Sequence, residues 1–98
     1  MRLEDYFEFF ASDDIRLKNQ LIPIEEVLYY YLDGYSPEEI VTKLPSLSLE
    51  QIYATITYYL HNQADMDVYL SNLAAQRYLK YLANPSVVVQ RLRRLRGW

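Results

Sequence analysis

The sequence predicts a mainly α domain: an N-terminal β-hairpin, a helix-turn-helix three-helix core, then a long C-terminal helix. Three observations carry this. Two capping boxes stand twelve residues apart, Ser36 with Glu39 and Ser48 with Gln51. In each, the serine oxygen takes a free amide of the first helical turn, and the residue three on reaches back to the serine amide. Pro45 lies between them and cannot continue a helix, so the first helix stops near Leu44 and a turn over 45–47 leads into the second. Apolar side chains then recur at helical spacing on both sides of this pair. Two capped helices joined by a tight turn form a helix-turn-helix.

The elements follow in order. Tyr6 to Phe10 is short and aromatic, and Ile15-Arg16-Leu17-Lys18 alternates apolar and basic, as a half-buried strand does. Ser12-Asp13-Asp14 between them favours a turn, and Glu8 then faces Arg16 or Lys18 across the hairpin. Two strands alone are marginal in water, so they must pack on the helices or on a second chain. Pro23 opens a helix running to Asp33, and Gly34 ends it. Ile24, Val27, Leu28 and Tyr31 form its inner stripe, leaving Tyr29 and Tyr30 on the flanks with Glu25, Glu26 and Asp33.

Pro37 suits the first position of the next helix, which buries Ile40, Val41 and Leu44. The helix after the turn is expected to bury Leu49, Ile52, Tyr53, Ile56 and Leu60, and to present Glu50, Gln51, Ala54, Tyr58 and His61 outward. Asn62-Gln63 reads as a break. The long helix spans Asp65 to Leu82, with an apolar face from Met66, Tyr69, Leu70 and Leu73 on to Ala74, Tyr78, Tyr81 and Leu82. Residues 1–84 thus make the domain and 85–98 a separate basic segment, open to reading as a short amphipathic helix, a strand or a frayed end.

Composition narrows the function. With 98 residues there is one domain and a modest core. There is no cysteine and one histidine, His61, so thiolate chemistry, disulfides and histidine-rich metal sites are excluded within one chain, and no cofactor is expected. Two glycines cannot build a phosphate-cradling loop. No enzyme activity and no catalytic residue are expected. No apolar run approaches the length that spans a membrane, and acids interrupt the N-terminus, which points to a cytoplasmic protein.

Charge is divided along the chain. Residues 1–76 hold four basic side chains against all thirteen acids, a balance of −9, whereas 77–98 hold six basic and no acidic ones. Eleven tyrosines suggest half-buried surfaces of the kind found at interfaces.

A helix-turn-helix raises the question of DNA. Its second helix would present Glu50, Gln51, Ala54 and Tyr58 to base edges, with Gln51 suited to adenine and Glu50 to cytosine. Nothing basic lies in that helix, so phosphate neutralisation would fall to Arg91, Arg93, Arg94 and Arg96. The other reading is a structural helix pair with no nucleic-acid role, in a module that binds protein through Tyr29 and Tyr30 and through the Val88, Leu92, Leu95 and Trp98 side of the C-terminal segment.

The strand leading into Ile22-Pro23-Ile24, the helix, Gly34-x-Ser36-Pro37-Glu38-Glu39-Ile40 and Leu47-Ser48-Leu49-Glu50-Gln51-Ile52 with its long helix resemble, in order and spacing, the prokaryotic domain-of-unknown-function family four hundred thirty-three, over about residues 14–70. Members are often described as VapB-like antitoxins. The resemblance implies a hairpin followed by a helix-turn-helix bundle, often a homodimer, and the antitoxin role in a pair whose toxin is a PIN-like nuclease. Many members carry a glycine and an arginine just before the Ile-Pro step, where this chain has Asn19 and Leu21. The expectation is therefore an antitoxin-like regulator that binds a nuclease-type toxin protein and its own promoter as double-stranded DNA.

Overall fold

A computed structural model describes residues 2–83. The chain begins with a 3-10 turn, Leu3–Tyr6, then the antiparallel strands β1 (Phe7–Ala11) and β2 (Asp14–Leu17). Four helices follow: α1 (Ile24–Leu32), α2 (Pro37–Lys43), α3 (Leu49–His61) and α4 (Gln63–Leu82). The predicted architecture is the observed one, with the opening 3-10 turn as an additional element.

The hairpin register sets Phe7 opposite Leu17 and Glu8 opposite Arg16, with an irregularity between Phe9 and Ala11. Alternation buries Ile15 and Leu17 while Asp14 and Arg16 stay half-exposed. Arg16 does not turn to Glu8. Its guanidinium takes both carboxylate oxygens of Asp14, at 2.8 and 3.0 Å, which holds the Asp14 carboxyl below its usual range. After β2 the backbone passes through Asn19 at φ 69° and Leu21 at φ 54°. The Leu17 amide then donates to the Ile22 carbonyl at 2.8 Å, which ties the strand to the start of α1.

α1 ends as predicted. Gly34 takes φ 97°, the left-handed conformation that only glycine adopts at little cost. Both capping boxes form. Ser36 Oγ accepts from the Glu39 amide and Ser48 Oγ from the Gln51 amide, each at 3.2 Å, and each acid or amide side chain returns a bond to its serine amide. Leu44 closes α2, and Pro45 lies in the turn.

The core gathers Leu17, Ile24, Val27, Leu28, Ile40 and Ile52, all fully buried, with Leu47, Met66, Leu70 and Leu73 around them. Each fully buried leucine or isoleucine stabilises by roughly 1.5–3 kcal/mol.

The inner face of α3 differs from the expected one. Leu49, Tyr53 and Leu60 are exposed, and the buried set is Ile52, Ala54, Thr55, Ile56 and Tyr59. The face is turned by about one residue, and the two polar side chains on it are hydrogen-bonded. Thr55 donates to the Gln51 carbonyl at 2.7 Å, and the Tyr59 hydroxyl donates to Asp67 at 2.6 Å.

α4 follows α3 after one residue, Asn62, and starts two residues earlier than predicted. Its buried residues end at Leu73. Tyr78 and Leu82, expected on the apolar inner face, are exposed because the helix runs on past the core, which gives the molecule a 51 Å long axis against 28 and 24 Å. No helix among the described residues is long and apolar enough to cross a membrane. The predicted segment 85–98 lies outside the described residues, with its Val88, Leu92, Leu95, Trp98, Arg91, Arg93, Arg94 and Arg96.

Candidate interaction surfaces

The start of α3 is the expected reading surface for DNA, and its side chains are already engaged. Gln51 is half-buried, and its Oε1 is held at 2.9 Å by the Ser48 amide. Ala54 is 7% exposed and cannot touch a base edge. Tyr58 is half-buried, its ring 5.1 Å from that of Phe7 and 6.2 Å from that of Phe9, and burial raises its pKa. Glu50 accepts the hydroxyl of Tyr6, so the 3-10 turn is fastened across the helix start.

Of the four side chains expected to face outward, Ala54 is buried, Gln51 and Tyr58 are half-buried and Glu50 is exposed. Ala54 is a packing residue, Gln51 is a cap, and Tyr58 and Glu50 hold the N-terminal turn and hairpin against α3. The buried stripe of α3 includes Thr55, which a hydrophobic pattern does not count, and Tyr59 in place of Tyr53.

The electrostatics of this end are acidic. The Tyr53 hydroxyl donates to Glu38 at 2.7 Å, which keeps the Glu38 carboxyl below its usual range and raises the tyrosine. Glu39 is held low by the Ser36 amide it accepts. Phosphate approaching α3 therefore meets Glu38, Glu39 and Glu50.

A second surface lies on α1. Tyr29 is exposed and Tyr30 half-buried, and with Glu26 and Asp33 they line an open cavity of about 440 Å³. The spacing 26, 29, 30, 33 is one helical face, so the site is legible as i, i+3, i+4, i+7. Tyr29 and Tyr30, expected to bind a partner, are joined here with the flanking Glu26 and Asp33 into one surface. Tyr30 packs its ring 5.2 Å from that of Tyr35, which fixes its orientation. Tyr29 carries the guanidinium of Arg77 at 5.4 Å from its ring centre. This is a cation–aromatic contact already made on the same face.

Beneath Arg77 lies Glu25, 8% exposed, whose Oε2 is 3.6 Å from the guanidinium and whose Oε1 has no hydrogen-bond partner. Burial raises its pKa, and Arg77 opposes the rise only in part. Among the described residues no group of three or more His, Cys, Asp or Glu side chains is placed to hold a metal ion.

Neither the curated proteins nor the solved structures include a match to this chain. Residues 14–59, from the start of β2 to the buried Tyr59, match the family model described as "Protein of unknown function (DUF433)".

Proposed function

We propose that this chain is an antitoxin-like regulatory protein that acts by binding, and that its partner is a nuclease-type toxin with a basic surface. The observation that carries the reading is the α1 face, where Glu26 and Asp33 flank Tyr29 and Tyr30 in one open cavity. An enzyme that cuts nucleic acid must hold a polyanion, so it exposes basic side chains. An acidic surface with amphipathic aromatic rings competes for them, and charge complementarity steers the encounter. The balance of −9 over residues 1–76 extends that field over the body. The Val88, Leu92, Leu95 and Trp98 side of the C-terminal segment supplies a further apolar contact in this reading.

Co-expression with the product of the adjacent reading frame tests it. The two proteins should co-purify, and Glu26→Lys with Asp33→Lys should release the partner while the fold stays intact. A partner without nuclease activity, or one retained by the charge-reversed protein, would sink the proposal.

The divided charge favours a second role, in promoter DNA binding. Here the arginines at 91, 93, 94 and 96 would contact phosphates, and α3 would read no bases. A fluorescence-anisotropy titration with upstream DNA should show affinity falling steeply with salt and disappearing when residues 86–98 are removed. Affinity that ignores salt or survives the truncation leaves only the protein-binding role.

A further inference from the structure

Tyr29 belongs to two open cavities. The one toward α4, about 320 Å³, also takes in Ala74, Arg77, Tyr78 and Tyr81, and there the Arg77 guanidinium lies 5.4 Å from the ring centre of Tyr29. The one along α1, about 440 Å³, is completed by Glu26, Tyr30 and Asp33 and holds no basic side chain. Glu26 and Asp33 are both exposed, and among the described residues neither carboxylate has a hydrogen bond or an ion pair. The α4 half of this surface thus has its own cation, while the α1 half presents two acids without one.

We infer that the segment 85–98 of the same chain, outside the described residues, docks its arginines on Glu26, Tyr29, Tyr30 and Asp33 and so competes with any partner for that face. Charge complementarity is the first ground: the segment carries Arg91, Arg93, Arg94 and Arg96 and no acid. The second is chemical. A guanidinium suits a tyrosine ring beside a carboxylate, and Arg77 on Tyr29, 3.6 Å from Glu25, is that arrangement already made inside this chain. The third is position. Tyr78 and Tyr81, in the last turns of α4, share a cavity with Tyr29, so the described chain ends beside α1. Extended backbone from Ala83 to Arg91 reaches about 26 Å. Glu26 to Asp33 is only about 10 Å along a helix.

Tethering makes weak contacts sufficient. A segment on a short linker meets its site at an effective concentration on the order of millimolar, so contacts of millimolar strength fill the face about half the time. The regulatory consequence rests on the toxin-binding reading. A partner's basic surface has to displace the segment, and its apparent affinity falls in proportion to the fraction of chains whose face is open. While docked, the arginines are also withheld from phosphate.

Trp98 is the single tryptophan and follows Arg96 by two residues, so its fluorescence reports on the segment. The full chain at low salt, excited beyond the tyrosine band, should shield Trp98 from quenching by acrylamide. Glu26→Lys with Asp33→Lys should raise the quenching constant about twofold, toward that of a synthetic peptide of residues 84–98. Far-ultraviolet circular dichroism should stay unchanged, since both positions are solvent-facing. Adding Arg91→Glu and Arg93→Glu to that protein should restore the shielding, and molar salt should abolish it in the wild type. Equal quenching of the wild-type and charge-reversed chains overturns the proposal. So does a compensating pair that restores nothing, or shielding that persists in molar salt. Shielding that grows with protein concentration overturns it too, because another copy then fills the face. Should charge reversal disturb the fold, Glu26→Gln with Asp33→Asn is read in the same way. No partner protein enters the experiment, so this docking and the toxin-binding reading fail separately.

Discussion

The backbone amide of Ile15 donates to the hydroxyl of Tyr69 at 3.0 Å in a buried setting, which joins the open edge of β2 to α4 across 54 residues of sequence. The Tyr69 ring alone would fill the space, but only its oxygen satisfies that amide. Tyr69→Phe should therefore cost about 1–3 kcal/mol, the usual penalty for stranding a buried donor. Urea denaturation followed by circular dichroism measures it. A loss near zero would mean that water reaches the amide.

Glu25 gives a pH dependence whose direction follows from its burial. Its folded-state pKa lies above the unfolded value, so the native state holds the proton more tightly. In the window from the unfolded value up to the folded one, the native state binds more protons than the unfolded state, and stability falls as pH rises. Asp14 and Glu26 add to the rise, and Arg77 works against it. Glu25→Met removes the ionising group and the orphaned Oε1 at similar length. It should stabilise by about 1 kcal/mol at neutral pH. The advantage should shrink as the pH falls from the folded value to the unfolded one, and level off below it. Thermal melts of both proteins across the acid range check this, and an advantage that grows on acidification contradicts it.

Gln51 separates a cap from a base reader. Gln51→Ala should lower stability by about 0.5–1 kcal/mol, and Ser48→Ala by about 1 kcal/mol, by stripping the amides at the start of α3. Neither should alter any affinity for DNA beyond that loss. A DNA affinity that drops with Gln51→Ala while the melt stays unchanged would restore the reading role.

Leu21 stands at φ 54° with 57% of its surface exposed. An unbranched glycine there relieves the left-handed strain and gives up little burial. Leu21→Gly should raise the melting temperature, by about 1 kcal/mol of stability or somewhat less, since glycine also loosens the unfolded chain. Gly34→Ala should do the reverse by a similar amount, because the space around it is open and only φ opposes the methyl. Differential scanning calorimetry on the pair decides both signs.

Most of the architecture was legible because its punctuation is chemical and local. Ser36, Pro37, Ser48, Gly34 and Pro45 each act within four residues, and every element they bound is where they put it. The candidate site was less legible because it depends on which way a helix is turned. Thr55 and Tyr59 go inward through bonds to Gln51 and Asp67, one of them in another helix, and no periodicity of apolar residues reports that. The four-residue face on α1 was within reach of the sequence, since Glu26, Tyr29, Tyr30 and Asp33 share one helical side. The exposure of Tyr78 and Leu82 was not, because it depends on where the rest of the protein stops.

The family match ends at residue 59, while the fold's closing contacts lie beyond it. Tyr59 finds its acceptor at Asp67, and the open edge of β2 waits for Tyr69. A nascent chain that has cleared the ribosome only through α3 thus displays a bare strand edge and an unanswered phenol. Asp67 and Tyr69 stand within one turn of α4, so that turn answers both. About ten residues beyond the family match therefore complete the contacts that close the hairpin edge and α3.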